Sequence, residues 1–361
     1  VHSSISSSNQ RLPSLAWRPI LLGAVLMLIA FVAAMELRLA AKGFHPTVTD
    51  SEALWQTERA RARSLGKRAL IIVGASRIQL GLNLEVLRRL TGLEPVQLAL
   101  DGTNPLSVFE GLARDSNIRG VVLVDYYDFM LAGGTDYSHN YEKRFESLPI
   151  NYSFPDYAKI ESYLSQRWRW MLRSYADGAK PLTTLLIRIF SNATPQYLVT
   201  LPNRSRLADY QQVEMPDMYY NRVIRILGGT FERPAQATHT ELQRFIESQI
   251  LKVEPHDDKI FMSQPRLEYL ESLIQMIRNR GGQVVFVVMP TSGMARDIER
   301  RRYPRSRFWD RLAAQISART IHFEDFPALR DFVCPDGSHL DYRDQVRFTT
   351  ALVAAASLER R

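Results

Sequence analysis

Residues 69–76 read Ala-Leu-Ile-Ile-Val-Gly-Ala-Ser, and this stretch decides the fold. An apolar run rich in β-branched residues stops at Gly74. A run of that length, closed by a glycine, fits a strand buried on both faces, as in parallel sheets. The pattern then repeats outward. Residues 83–90 have helical patterning, and 95–102 (PVQLALDG) form a second strand ending on Asp101 and Gly102. Residues 105–114 are helical, and 120–124 (GVVLV) are a third strand that runs into Asp125. Further on come an amphipathic helix at 266–278 and an apolar strand at 283–289 closed by Pro290. A helix at 308–316, a last strand at 319–323 and an Ala-rich helix at 344–358 complete the chain. Strands alternating with helices predict an α/β fold, a parallel sheet with helices on both faces. Ligands in such sheets bind beyond the carboxyl ends of the strands. The polar turns at 74–77, 101–104 and 125–128 are therefore the places to look for a site.

Residues 131–262 break this alternation. They are rich in Tyr, Trp, Pro and Asn and show no strand rhythm. A helix is expected at 157–175 and a buried or interfacial one at 182–190, with 201–218 loop-like. The region reads as a largely helical insertion covering the sheet's active edge. Its aromatic residues suit either its own core or stacking against sugar rings.

At the other end, residues 19–35 are free of charge, with Trp17 at the leading edge. A spanning helix needs ~20 mostly apolar residues, and flanking arginines can snorkel to the interface. One transmembrane helix is expected over 15–39, within an anchor segment 15–41 that follows a Ser-rich, disordered tail at 1–14. The run exceeds the ~7–15-residue core of a cleaved signal peptide, so an uncleaved signal anchor is expected. Arg11 and Arg18 before it balance Arg38 and Lys42 after it, so charge does not set the orientation. Residues 42–67 read as a juxtamembrane linker. Its helix at 52–65 carries a basic face of Arg59, Arg61 and Arg63. The α/β domain then occupies 68–361.

Composition narrows the function. Hydrophobic residues make up 45% and charged ones 23% of the 361, which excludes a disordered chain, a collagen and a multi-span transporter. A single cysteine, Cys334, excludes an intrachain disulfide framework and a Cys-based zinc cage. Lys and Arg number 46 against 38 Asp and Glu, a net charge of +8. The positive residues are dispersed, with no basic block beside aromatic stacking residues, so no nucleic-acid partner is expected. A basic surface near a membrane accounts for them. The histidines other than His339 lack metal-ligand spacing, and the glycines at 74 and 81 lack the G-x-G-x-x-G pattern. Neither a metal nor a nicotinamide cofactor is expected.

Two segments carry chemistry. One is Gly74-Ala75-Ser76-Arg77 after the first strand, and the other is Asp336-Gly337-Ser338-His339-Leu340 near the end of the chain. A serine hydroxyl is a weak nucleophile and needs a base within hydrogen-bond reach. His339 can be that base if Asp336 fixes its tautomer, which gives the chain order Ser…Asp…His. A tight turn also aims the Ser76 N–H outward as an oxyanion donor. Taken singly, each segment also fits an ordinary turn.

The pair resembles the SGNH (GDSL-like) hydrolase superfamily, with its Gly-x-Ser block after the first strand and Asp-x-x-His block before the last helix. The Gly-Ala-Ser-Arg form is similar to the membrane-anchored branch that includes alginate O-acetylation proteins and the D-alanyl-lipoteichoic acid transfer protein. The resemblance covers 68–130 and 280–361. It implies an SGNH-like three-layer sandwich, with Ser76 as nucleophile, His339 as general base and Asp336 as its orienter. Gly102 would give a second oxyanion N–H. The third block, Gly-x-Asn-Asp, is absent. Asp125-Tyr126-Tyr127-Asp128 stands in its place, and Asn104 is the substitute donor. Arg77 would meet an anionic substrate, the loop carrying Asp125, or simply a salt-bridge partner, and Asp128 a sugar hydroxyl. The implied activity is a membrane-anchored serine acyltransferase of the bacterial inner membrane, facing the periplasm. It would move an acyl group, acetyl by expectation, onto an envelope or exported polysaccharide, beside a multi-span membrane acyltransferase. A carbohydrate esterase of the same fold and a non-catalytic assembly or binding factor are the alternatives.

Overall fold

The computed structural model describes residues 17–132, 137–147, 170–174, 194–228 and 237–359. The strands among them are β1 (Ala69–Val73), β2 (Glu94–Gln97), β3 (Val121–Asp125), the short pair β4 (Leu198–Thr200) and β5 (Arg206–Ala208), β6 (Gln283–Val288) and β7 (Arg319–His322). Five of them form one wholly parallel sheet in the order β2-β1-β3-β6-β7. The expected α/β architecture, a parallel sheet flanked by helices, is present.

Side chains alternate across a strand, so a strand apolar at every position needs cover on both faces. In β1, Ile71 and Val73 face one core, with Phe109, Leu112, Leu273 and Ile277 from the helices Leu106–Arg114 and Gln264–Arg278. Leu70 and Ile72 face the other, with Leu87, Phe348 and Leu352 from the helices Leu84–Thr91 and Gln345–Ala355. Helix starts follow local chemistry. Asn83 accepts a hydrogen bond from the Val86 amide and so caps the helix that follows it.

The helix Glu52–Leu65 corrects one expectation. Read as part of a juxtamembrane linker, it packs against the core, and of its three basic residues Arg59 is buried while Arg61 and Arg63 stay partly exposed. Trp55 and Ala62 are fully buried, and the Trp55 indole donates to the Leu98 carbonyl at 3.0 Å. Arg59 lies on the same side and is 1% exposed. It pairs with Asp115 and Glu142, each at 3.0 Å, and stacks on Phe145. A basic stripe on a helix can be buried when acidic partners far along the chain neutralise it, and composition alone does not show them.

The helix Trp17–Ala41 has a mean hydropathy of 2.6 in its most apolar window, of which 6% is buried, so it is long and apolar enough to cross a membrane. Its last turns meet the rest of the chain. Met35 and Leu39 are buried, and the Glu36 carboxylate accepts hydrogen bonds from the Arg173 and Ser174 amides and the Ser174 hydroxyl.

The insertion is less uniformly helical than expected. β4 and β5 pair antiparallel, and 201–218, read as loop-like, contains β5, a short turn of helix at Tyr210–Gln212 and the start of the helix Asp217–Leu227. The tip of this hairpin is fixed by Arg204, which is fully buried. It binds Asp50 at 2.6 Å and donates to the carbonyls of Gln97, the last residue of β2, and of Ala99 just beyond it, at 2.7 and 3.0 Å. Three short residues per strand give too little alternation to read as strands in sequence. The helix His239–Ile250 packs on Asp217–Leu227 and starts at a Thr238/Glu241 capping box. The tail at 1–14, most of the helix expected at 157–175 and all of that at 182–190 lie outside the described residues.

Candidate active site

The site is built where β1 ends. A Cβ on Gly74 would stand 2.6 Å from both Asp125 Cβ and Ile78 Cγ2, so only glycine lets the chain pass this close to β3. The chain turns at once into the helix Ser76–Gly81. As the first helical residue, Ser76 has an N–H with no partner in the helical ladder. Its hydroxyl oxygen lies 2.8 Å from His339 Nε2. His339 Nδ1 lies 2.8 Å from Asp336 Oδ2. The other Asp336 oxygen accepts the Ser338 and His339 amides at 2.9 and 2.8 Å. One carboxylate therefore shapes the turn with one oxygen and holds the imidazole with the other. With Nδ1–H donating to Asp336, the lone pair on Nε2 is left for the Ser76 proton. Asp336 is fully buried and His339 is 3% exposed, while Ser76 is partly exposed.

Burial alone would raise the Asp336 pKa. The His339 hydrogen bond and charge, the Ser338 amide and the Arg222 guanidinium outweigh it and hold the carboxyl well below its ordinary value. Asp336 thus stays ionised across the physiological range and stabilises a charged imidazole.

No family model matches the chain, and no curated protein matches it.

The turn carrying Asp336 and His339 is moored to the exit of β6. The Cys334 amide donates to the Ser292 hydroxyl at 2.9 Å, its thiol to the Pro290 carbonyl at 3.2 Å, and the Ser292 amide to the Gly337 carbonyl at 2.9 Å. Burial pushes the Cys334 thiol up to about 12, so it stays protonated and structural. Arg77 links the turn to the residue beside it, Ser76. Its Nε donates to the Ser338 hydroxyl at 3.1 Å, its Nη2 pairs with Glu299, and its guanidinium lies over the Tyr127 ring at 5.2 Å. Of the readings open for Arg77, the structure displays two: the salt bridge, made with Glu299, and the contact to the loop carrying Asp125, made through Tyr127. Arg77 also lines a cavity of about 330 Å³ beyond the ends of β3, β6 and β7, with Asp128, Arg296, Tyr303 and Trp309.

The other sequence-read residues fall around this centre. Gly102 has φ +67° and open space where a side chain would be, so the backbone turns freely there. The Asn104 amide donates to the Met130 carbonyl at 3.0 Å, and its side-chain oxygen accepts the Leu106 amide at 3.0 Å. Those two bonds tie it to the start of the helix Leu106–Arg114 and to the loop after β3. Asp128 lines the cavity, and burial together with Glu299, partly offset by Arg296 and Arg77, raises its carboxyl to about 7. Asp125 is fully buried, and no described residue gives either of its oxygens a hydrogen bond of good geometry. Burial raises it to about 7 against the opposing influence of Arg77, Tyr127 and the Ile78 amide.

Sequence reading missed three residues here. Arg222 lies 3.2 Å from Asp336 Oδ2, Tyr210 is a buried phenol raised by burial and by the Asp336 charge, and Glu299 holds Arg77. Arg222 and Tyr210 come from the insertion and Glu299 from the helix Gly293–Arg302. No local pattern distinguishes them from surface residues. Among the described residues, no group of three or more His, Cys, Asp or Glu side chains is placed to hold a metal ion.

Proposed function

We propose that this protein is a membrane-anchored serine acyltransferase that forms an acyl ester on Ser76 and passes it to a hydroxyl of an envelope or exported polysaccharide. The observation that carries the reading is the unbroken hydrogen-bond chain from Ser76 through His339 to Asp336. Three residues from opposite ends of the soluble part meet with nucleophile–base and base–orienter distances of catalytic length. The apolar N-terminal helix supports placement at a membrane, and by its resemblance the bacterial inner membrane with the domain in the periplasm. The SGNH-like placing of the Gly-x-Ser and Asp-x-x-His blocks supports acyl chemistry and a glycan acceptor, with a multi-span membrane acyltransferase as the supplier of acyl groups.

In this reading His339 Nε2 takes the Ser76 proton as Oγ attacks the acyl carbonyl carbon. The oxyanion faces the Ser76 N–H and, by resemblance, the Gly102 N–H. Losing one such donor typically costs ~10²–10³-fold. Collapse breaks the bond to the donor, whose leaving oxygen takes the proton from His339. An acceptor hydroxyl then gives its proton to His339 and attacks the ester, and Ser76 leaves with that proton. Asp336 stays ionised throughout and stabilises the imidazolium.

The test is incubation of the full-length protein in detergent with a chromogenic acetyl ester, with and without candidate oligosaccharides, followed by mass spectrometry. Acetyl on Ser76 and on the oligosaccharide is expected, with neither formed by Ser76→Ala. Acetate release that no oligosaccharide diverts would identify an esterase. Polymer acylation unchanged in cells carrying Ser76→Ala would leave only a binding role.

A further inference from the structure

The insertion does more than cover the sheet edge, because its helix Asp217–Leu227 reaches the acid–base turn. Arg222 Nη2 lies 3.2 Å from Asp336 Oδ2, the same oxygen that holds His339 Nδ1 at 2.8 Å. Arg222 is partly exposed, whereas Asp336, His339 and the Tyr210 phenol, which also bonds the carboxylate, are buried, so Arg222 is the partner that reaches toward solvent. Two turns of chain are fixed by the same helix. A Cβ on Gly337, inside the Asp336–His339 turn, would stand 3.2 Å from the Tyr219 ring, and one on Gly293 would stand 2.4 Å from the Tyr219 hydroxyl. That hydroxyl also accepts the Met294 amide at 2.8 Å. Tyr219 therefore seats the helix against two glycines, which places Arg222 over the carboxylate.

We infer that Arg222 is a positioning residue which shares the Asp336 carboxylate with His339 and so sets the pH range over which His339 can take the Ser76 proton. The inference rests on the serine-nucleophile reading above for its kinetic consequence. The charged and titratable groups facing the pair are few. Arg222 and Tyr219 come from the insertion helix, Tyr210 from the turn after β5, and Cys334 from the same turn as Asp336. Arg77, paired with Glu299, reaches the turn through Ser338. Of these, Arg222 alone is a cation in contact with the Asp336 carboxylate among the described residues. Its sign is definite. A cation on Asp336 draws off part of the negative charge that would stabilise an imidazolium, so it favours neutral His339, the form able to accept a proton. Removing it lets the imidazolium persist to higher pH.

The experiment measures labelling of Ser76 by a fluorophosphonate probe on the full-length protein in detergent. The serine oxygen displaces fluoride from phosphorus, so the rate reports how well His339 removes the proton. Rates are followed from about pH 5 to 9 for the wild type, Arg222→Gln and Arg222→Lys. The acid limb of Arg222→Gln is expected to lie about one pH unit higher, so at a fixed pH on that limb labelling is roughly tenfold slower. Arg222→Lys is expected to restore most of the wild-type profile. A wild-type profile in Arg222→Gln, or equal displacement in both variants, overturns the role given to Arg222. The ring signals of His339, titrated by NMR in the wild type and Arg222→Gln, read the same displacement without any reaction. An unlabelled wild type overturns the nucleophile reading, while an unmoved ring titration overturns the Arg222 inference whatever happens at Ser76.

Discussion

The turns at 125–128 and 336–339 both lie at the carboxyl edge of the sheet, and each holds a fully buried aspartate. Their aspartates are treated in opposite ways. Asp336 accepts two backbone amides, holds His339 and meets Arg222, and it is held well below the ordinary carboxylate value. Asp125 has no hydrogen bond of good geometry from a described residue and is raised to about 7. Burial acts against the charge in both, and the difference is the set of donors. A buried carboxylate with its donors in place is a fixed charge. One whose donors are fewer and poorly aimed, as at Asp125 with Tyr127 and the Ile78 amide, rises to about 7 beneath the loop that presents Ser76.

That contrast can be broken or sharpened by substitution. The largest effect is expected from Asp336→Asn. Its side-chain oxygen still accepts the Ser338 and His339 amides, so the turn survives, but the charge that stabilises the imidazolium is lost. Labelling of Ser76 should fall by ~10³–10⁴-fold, and because the Asp336 carboxyl is held below its unfolded value the variant should also melt lower at neutral pH, a difference that closes as pH falls below about 4; rate and melting data together check both effects.

Asp125→Asn should leave labelling far less affected and change stability instead. The folded-state pKa of Asp125 is raised, so its contribution to stability is fully present below the unfolded carboxylate value near 4 and is lost as pH rises through about 7. The amide removes that loss. The variant should outlast the wild type in melting experiments at about pH 8, by up to a few kcal/mol, and show a flatter stability profile between about pH 4 and 7. Identical profiles for the two proteins would contradict the raised value at Asp125.

Gly74→Ala tests the contact between the two strands directly. A methyl group 2.6 Å from Asp125 Cβ and Ile78 Cγ2 forces the β1 exit and the β3 end apart. It should cost about 1–3 kcal/mol in denaturant unfolding and slow Ser76 labelling as well. The smallest effect is expected from Ser338→Ala, which removes the 3.1 Å bond from Arg77 Nε but leaves the Glu299 pair in place. A loss of about 1 kcal/mol or less in stability, with a few-fold slower labelling, is expected.

The parts of this protein that a reader of the sequence could see are those whose cause is local. Apolar runs at 69–73, 121–124 and 283–288 announce strands covered on both sides, because periodicity and burial are written in consecutive residues. Ser76, Asp336 and His339 stood out through a short spacing and a place at a strand end. What stayed hidden were pairings across long stretches of chain. The Arg59 pairs with Asp115 and Glu142 turned a supposed linker into a core helix. Arg204 fastens a hairpin whose three-residue strands have no readable rhythm. Arg222, in a helix that also carries Arg225, was singled out only by its approach to Asp336. By itself, then, the sequence settled which segments form the parallel sheet, which helix is apolar enough to enter a membrane, and which three residues were worth bringing together. Only the tertiary structure decided which cation meets which carboxylate, because a charge's partner depends on distances in space that no spacing along the chain encodes.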